Sequence, residues 1–242
     1  MLTEISRFVI CFTIYSLIGW ACECAWCSIP DRKFVNRGFL IGPVCPIYGF
    51  GGMLVVALLT PAAGNLLALF LSAAVITTVL EYITSVLMER LFHMRWWDYS
   101  HNKFNIHGRV CLLNTAMFGI MGVLLMRVIH PFIASLVERL PPVWSIATGA
   151  AIALLFIADI FLSVRATLQL SDRLSQLHQA ITDFKEKGRE QRDALKARLS
   201  ELIKIRFLHR RLINAFPQMK SKFYPAAIER LREAVKNRKR GS

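Results

Sequence analysis

Long runs of apolar residues dominate the first two thirds of the chain. Four of them, residues 8–28, 66–87, 110–129 and 143–164, have the roughly 20 residues that a helix needs to cross the hydrocarbon core of a bilayer. A fifth, residues 38–59, is equally apolar, but its first half is rich in glycine and proline. Irregular backbone is tolerated at membrane depth only where protein or a water-filled cavity covers it. The pattern therefore predicts an all-α, polytopic membrane helix bundle with about five spans, the second of which is irregular.

The pattern changes after residue 165. Apolar side chains then recur at alternating spacings of four and three, as in the seam of a coiled coil: Leu170, Leu174, Leu177, Ile181 and Phe184, and after Gly188 again Leu195, Leu199, Leu202, Ile205, Leu208 and Leu212. Pro217 ends this stretch, and a short helix is predicted from Pro225 to about Lys236. We therefore divide the chain into a transmembrane bundle, residues 1–165, and a basic cytoplasmic tail of helical or coiled-coil structure, residues 166–242.

The charge of the protein follows the same division. The chain is 55% hydrophobic and 19% charged, against about 25% charged in a soluble domain, which excludes a disordered or ordinary water-soluble protein. Its net charge of +14 separates into +3 for residues 1–165 and +11 for residues 166–242. Basic residues concentrate in alternate connections between the spans. Because such residues are retained on the cytoplasmic side, we expect the N-terminus outside and the C-terminus in the cytoplasm.

The basic tail has three interpretations. Basic residues close to a membrane are attracted to anionic lipid, which is the simplest role for this tail. A nucleic-acid role is not expected, because the tail has few aromatic residues and no recognisable binding fold. A protein partner could instead dock on the leucine seam.

Three carboxylates lie inside predicted spans. An ionisable side chain there carries a large free-energy cost of insertion, and it is therefore a candidate for a functional residue. Glu23 is in the first span and Asp159 is in the last. Glu81 belongs to a stripe at steps of four, which keeps side chains on one helix face: Thr77, Glu81, Ser85, Glu89 and His93. These carboxylates either pair with Arg37, Arg95 or Arg109 to hold the helices together, or line a polar cavity for a substrate or cation.

The connection before the fourth span, residues 95–109, has an unusual composition. Its adjacent aromatic residues are typical of a membrane-interface belt, but its polar residues add more hydrogen-bonding capacity than an anchor needs. The connection could therefore cap the cytoplasmic end of the bundle. We predict a substrate-binding site formed by Glu23, Arg37, Glu81, Trp97, Asp98, Asn105 and Arg109.

Cofactor and metal sites are not expected from this sequence. Four of the six cysteines, Cys11, Cys22, Cys24 and Cys27, share one predicted helix, and no second cluster gives the paired spacing of a zinc site. The chain also has no Gly-x-x-x-x-Gly-Lys-Ser/Thr phosphate loop, so it cannot hydrolyse ATP by that route.

Several longer motifs point to a family. They are Gly19-Trp20 with Glu23; Asn36-Arg37-Gly38-Phe39-Leu40, Gly42-Pro43 and Cys45-Pro46-Ile47-Tyr48-Gly49; Glu81-Tyr82 and Met88-Glu89; and Trp96-Trp97-Asp98-Tyr99, Phe104-Asn105 and Gly108-Arg109. Over roughly residues 5–165 the chain resembles a bacterial family of small membrane proteins labelled putative ABC-transporter type IV, or putative ABC-transporter permease. The resemblance extends into the tail at Arg211-Leu212-Ile213 and Ala215-Phe216-Pro217. The resemblance implies a multi-pass protein of the bacterial cytoplasmic (inner) membrane that works with a separate nucleotide-binding subunit. Because several helices must line a pathway, a five-span chain also favours either a homo-oligomer or a compact carrier.

Three functional hypotheses follow. The first is a transporter or permease with a polar intramembrane cavity near the cytoplasmic side. The second is a membrane-embedded enzyme that acts on a lipid or isoprenoid head group. The third is a membrane anchor that recruits a cytoplasmic partner through its coiled tail.

Overall fold

The computed structural model describes residues 1–32, 34–62, 64–186, 201–202 and 207–240. Within them, nearly all regular structure is helical: α1 (Leu2–Asp31), α2 (Pro46–Leu59), α3 (Leu66–Phe92), α4 (Leu112–Leu124), α5 (His130–Glu138), α6 (Pro142–Glu186), α7 (Phe207–Ala215) and α8 (Pro225–Arg240). A 3-10 turn (Thr60–Ala62) follows α2, and two short strands, β1 (Asn105–Ile106) and β2 (Val110–Cys111), precede α4. The predicted all-α membrane helix bundle is confirmed.

Among the described residues, four apolar stretches of helix are long enough to cross a membrane: Leu2–Ile29, Leu66–Phe92, Leu112–Glu138 and Pro142–Asp183. The third consists of α4, α5 and a π-helical turn between them (Leu125–Ile129). Helix α2 has 14 residues, a length of about 21 Å, and the hydrocarbon core is about 30 Å thick. The predicted second span is thus helical only in its second half, and its glycine- and proline-rich first half is a loop.

The outer surface of the spans is apolar. Leu154, Leu155 and Phe161 of α6 are between 63% and 71% exposed. The interior also contains apolar clusters, one of which combines α2, α3 and the π-helical turn: Val55, Leu59, Leu69, Ala73 and Met126. A water-soluble protein rarely exposes large continuous apolar surfaces. This apolar surface is stable when lipid surrounds it. The protein is therefore a multi-pass membrane protein.

Glycines allow close contact between helices. A side chain at Gly19 of α1 would overlap the ring of Tyr48 in α2, and one at Gly122 of α4 would overlap Ala73 of α3. Small residues at such contacts let the backbones of membrane helices approach closely, which strengthens van der Waals packing. These contacts bring α2 against α1, and α4 against α3.

The chain divides into two compact units. The bundle unit comprises Met1–Ser85 and Tyr99–Leu162, and the tail unit comprises Val86–Asp98 and Ser163–Ser242. Each unit therefore combines segments that are far apart in the sequence. The units are described separately below.

The tail unit has its own core. Leu170, Leu174 and Leu177 of the predicted seam are at most 1% exposed. Trp96 packs edge-on against Phe216, with ring centroids 4.8 Å apart. These apolar side chains are already buried inside the unit, so a partner could dock on them only after the unit opened. Other predicted positions of the pattern lie outside the described residues: Gly188, Leu195, Leu199 and Ile205.

Candidate functional site

Glu23 has two partners within the bundle unit. The hydroxyl of Tyr48 donates a hydrogen bond to Glu23 Oε1 at 2.7 Å. The guanidinium Nε of Arg37 lies 3.6 Å from Glu23 Oε2, with both side chains partly buried. The negative charge of Glu23 is therefore balanced by Arg37, which is one of the pairings considered from the sequence.

The loop that carries Arg37 is held at several points. The backbone N–H of Arg37 donates to Cys24 Sγ at 3.2 Å. The backbone N–H groups of Ile41 and Gly42 each donate to the carboxylate of Asp159, at 2.8 Å in both cases. Carboxylate acceptors of this kind form hydrogen bonds about twice as strong as neutral ones. Asp159 thus satisfies backbone groups that the irregular loop leaves without a helical partner.

Glu81 lies on α3 and is only 5% exposed. The side chains of Tyr99 and Asn114 interact with its carboxyl group, and Glu23 is close enough to act on it electrostatically. Among the described residues, its Oε2 atom has no hydrogen-bond partner. Glu81 therefore differs from Glu23, because no basic side chain of the described chain forms an ion pair with it.

Tyr99 connects the two carboxylates. Burial, the largest cause, and the neighbouring Glu81 and Glu23 raise the pKa of the Tyr99 phenol well above its usual value, whereas Arg37 acts to lower it. The phenol is protonated and neutral at physiological pH, so it can donate to a carboxylate. We use the name polar cluster for the side chains that these interactions join: Glu23, Arg37, Tyr48, Glu81, Tyr99 and Asn114.

Two other predicted site residues, Asn105 and Arg109, follow Tyr99 in the chain but have partners outside the polar cluster. Arg109 Nη1 donates to Ser85 Oγ at 3.0 Å, and its guanidinium lies 5.8 Å from the centre of the Tyr82 ring. Asn105 shapes the turn between β1 and β2, because its Oδ1 accepts a hydrogen bond from the Gly108 N–H at 2.9 Å. The role of Asn105 visible in the structure is therefore to fix a loop.

The remaining two predicted site residues, Trp97 and Asp98, belong to the tail unit. The Asp98 carboxylate is 5% exposed and lies 2.5 Å from Lys220 Nζ. Arg95 Nη1 is 3.9 Å from its other oxygen. The segment is also tied by backbone hydrogen bonds in both directions between Arg95 and Lys220. The charge of Asp98 is thus balanced inside the tail unit.

The structure brings together three of the predicted site residues, Glu23, Arg37 and Glu81, and adds three that the sequence analysis did not select: Tyr48, Tyr99 and Asn114. Tyr48 and Tyr99 both fall within the quoted motifs, but neither is an ionised residue inside a span, and their contacts with Glu23 and Glu81 come from other segments of the chain. Asn114 was detectable as a polar amide within a predicted span.

No group of three or more His, Cys, Asp or Glu side chains suited to a metal ion occurs in the part of the chain that the structure describes. All six cysteines are free thiols. The polar cluster combines one ion pair with one further carboxylate, and its six members include neither an imidazole nor a thiolate, the ligands that suit most transition metals.

Comparison with known proteins identifies the family. A family model described as Putative ABC-transporter type IV matches residues 10–164, which is well over half of the chain. The protein belongs to this family. The match includes every residue of the polar cluster, together with Asp159. No curated protein and no solved structure matches the chain.

Proposed function

We propose that this member of the putative ABC-transporter type IV family is a permease that binds a cationic group of its cargo in the polar cluster, with Glu81 as the principal ligand. The observation that carries the proposal is the buried Glu81 carboxyl, which has one oxygen without a partner among the described residues. The apolar spans and the family support the transporter class.

The charge balance of the cluster supports a cationic ligand. A carboxylate in a membrane span costs several kcal/mol unless a partner compensates it. Arg37 compensates Glu23, and Glu81 remains as a second acidic group. A cation bound at Glu81 would balance the cluster, and Tyr99 and Asn114 would contribute polar contacts.

We propose the orientation predicted from the basic residues, with the N-terminus outside and the C-terminus in the cytoplasm. Ser6 of α1 packs against Gly149 of α6, and Arg7 donates to the carbonyl of Glu138 at 3.0 Å. The start of α1 and the start of α6 therefore lie at one end of the bundle unit. The polar cluster lies toward the other end, which the positive-inside rule assigns to the cytoplasm.

The proposed permease needs an energy source outside this chain, because the sequence contains no phosphate loop. We propose a separate nucleotide-binding subunit at the cytoplasmic side of the inner membrane, as the family description suggests. The four long spans and one short apolar helix of the described residues are few for a complete pathway, and we therefore propose a homo-oligomer. No nucleic acid is involved in this proposal.

Binding of organic cations and of sodium tests the proposal. The purified full-length protein is heated in detergent with spermidine, guanidinium, tetramethylammonium or sodium ions, and its melting temperature is recorded. A ligand at a hundredfold excess over its Kd adds about 2.7 kcal/mol to the free energy of unfolding. We expect at least one cation to raise the melting temperature of the wild type but not that of Glu81→Gln.

Glu4→Gln is the matched control, because Glu4 is an exposed carboxylate at the start of α1 with a side chain 72% exposed. It should retain the full stabilisation. Equal stabilisation of the wild type and Glu81→Gln would contradict the proposal, as would the absence of stabilisation by all four cations. Flux of the stabilising cation into liposomes that contain the protein and its ATPase partner would then distinguish a permease from an enzyme, because only a permease needs a sealed compartment.

A further inference from the structure

A rigid hairpin precedes α4 in the bundle unit. Strands β1 and β2 pair antiparallel, with Asn105 opposite Cys111 and Ile106 opposite Val110. The side chain of Asn105 also donates to the carbonyl of Asn102 at 2.8 Å, and the Leu112 N–H donates to the carbonyl of Phe104 at 3.2 Å. These bonds fix the backbone of residues 102–112, so the positions of the side chains that it presents are defined by the fold.

The hairpin has one buried and one exposed apolar face. Val110 and Cys111 are at most 2% exposed, whereas Phe104 is 78% exposed and Ile106 is 55% exposed. Phe104 also has a φ of +52°, in the left-handed region that phenylalanine rarely adopts. The hairpin therefore holds an aromatic side chain outward in an unfavourable backbone conformation.

Phe104 is preceded by an exposed lysine. Lys103 is exposed and forms no ion pair with any described residue. His101 and His107 are also exposed, and the ring of His107 is fixed by a hydrogen bond between its Nδ1 and the hydroxyl of Tyr82 at 3.0 Å. The chain contains no aspartate or glutamate between residues 99 and 137. An anionic partner would therefore meet no acidic side chain of this segment.

The hairpin also adjoins a membrane span directly. The span Leu112–Glu138 begins at the residue after β2, and its first two side chains, Leu112 and Leu113, are 55% and 57% exposed. Exposed leucines on a spanning helix require hydrocarbon around them. The hairpin is thus at the boundary between hydrocarbon and head groups, where aromatic side chains concentrate.

We propose that this hairpin is a binding site for anionic phospholipid: Phe104 and Ile106 enter the interfacial region of the bilayer, and Lys103 contacts the phosphate of a lipid head group. This surface is distinct from the polar cluster, and the inference does not depend on the proposed transport function. It also does not involve the basic tail.

Photo-cross-linking in lipid nanodiscs tests the proposal with the full-length protein. The photoreactive residue p-benzoylphenylalanine replaces Phe104, and adducts are identified by mass spectrometry in nanodiscs of phosphatidylcholine alone or of phosphatidylcholine with phosphatidylglycerol. One basic residue at an anionic surface changes the local lipid population about fivefold. We expect a phosphatidylglycerol adduct that is enriched about fivefold over its share of the bilayer.

The same probe in place of Leu155, a 71% exposed residue of α6, is the control that reports lipid contact without a head-group preference. Lys103→Gln should remove the enrichment at position 104, and Lys103→Arg should retain it. Adducts at position 155 without lipid adducts at position 104 would overturn the proposal. Adducts between position 104 and another protein in native membranes, in place of lipid, would overturn it in favour of a protein partner.

Discussion

Asp159 Oδ2 accepts a hydrogen bond from the backbone N–H of Gly42 at 2.8 Å, although the two residues are 117 positions apart in the chain. The other carboxylate oxygen accepts from Ile41. A side chain at position 42 would approach Asp159 Oδ2 to 3.0 Å, which explains why a glycine suits this contact. This relationship links the last long helix to the loop that carries Arg37.

Removing the Asp159 carboxylate should destabilise that loop. Hydrogen bonds to a charged group contribute about 1.5–3 kcal/mol each, so we expect Asp159→Ala to lower the free energy of unfolding by about 3 kcal/mol. Asp159→Asn keeps one acceptor oxygen and should have roughly half of this effect. Thermal unfolding in detergent measures both, and Asp172→Ala, at an exposed position of α6, is the control. Equal melting temperatures for Asp159→Ala and the control would disprove this account.

The Glu23–Arg37 pair should show energetic coupling. Arg37→Gln leaves Glu23 with only the Tyr48 hydroxyl as a described partner, and an uncompensated carboxylate is costly in a span. The double variant Glu23→Gln with Arg37→Gln removes both charges. We expect the double variant to be more stable than the sum of the single effects predicts, by about 1 kcal/mol. Strict additivity would show that the 3.6 Å approach has no energetic consequence.

Tyr99 should make the protein less stable at alkaline pH. Burial and the nearby carboxylates raise the pKa of its phenol in the folded protein, so above about pH 10 the unfolded chain releases a proton that the folded protein keeps. The contribution of this phenol to the free energy of unfolding is fully present below pH 10. It decreases by about 1.4 kcal/mol per pH unit as the pH rises toward the folded pKa. Melting temperatures between pH 9 and pH 12 should fall less steeply for Tyr99→Phe than for the wild type. Parallel curves would contradict the expectation.

Gly19 and Gly64 provide a matched pair of substitutions. A Cβ atom at Gly19 would overlap the ring of Tyr48, whereas one at Gly64 meets no atom within 4 Å. Overpacking costs about 1–3 kcal/mol, so Gly19→Ala should lower the melting temperature. Gly64→Ala should leave it unchanged or raise it slightly, because alanine reduces the conformational entropy of the unfolded chain. Equal melting temperatures for the two variants would show that close packing between α1 and α2 at Gly19 does not contribute to stability.

The hydropathy pattern predicted the helices well because an apolar run of about 20 residues has few alternatives to a spanning helix. The irregular start of the second segment was also readable, since Gly42, Pro43 and Pro46 disfavour a continuous helix. The pattern did not reveal that only Pro46–Leu59 would be helical. Nor did it indicate the hairpin of β1 and β2, whose two-residue strands are too short to give a periodic signal.

The candidate site was only partly predictable. Steps of four along α3 indicated that Glu81 would occupy a polar helix face. Glu23 was found because it is a carboxylate within an apolar span. Spacing within one helix says nothing about partners on other segments, and so Tyr48, Tyr99 and Asn114 were missed. Asp98 was selected for the hydrogen-bonding capacity that it adds to residues 95–109, but Lys220 lies beside it after 121 intervening residues.

The sequence by itself determined the membrane class, the helical spans, the family and the separation of a nearly neutral bundle from a basic tail, because each depends on composition, local periodicity or contiguous motifs. Only the tertiary structure decided which charges are compensated. Arg37 lies against Glu23 and Lys220 against Asp98, while Glu81 keeps an oxygen without a partner among the described residues. Ion pairs and hydrogen bonds act over a few ångströms in space, and packing brings together side chains that the linear sequence leaves far apart.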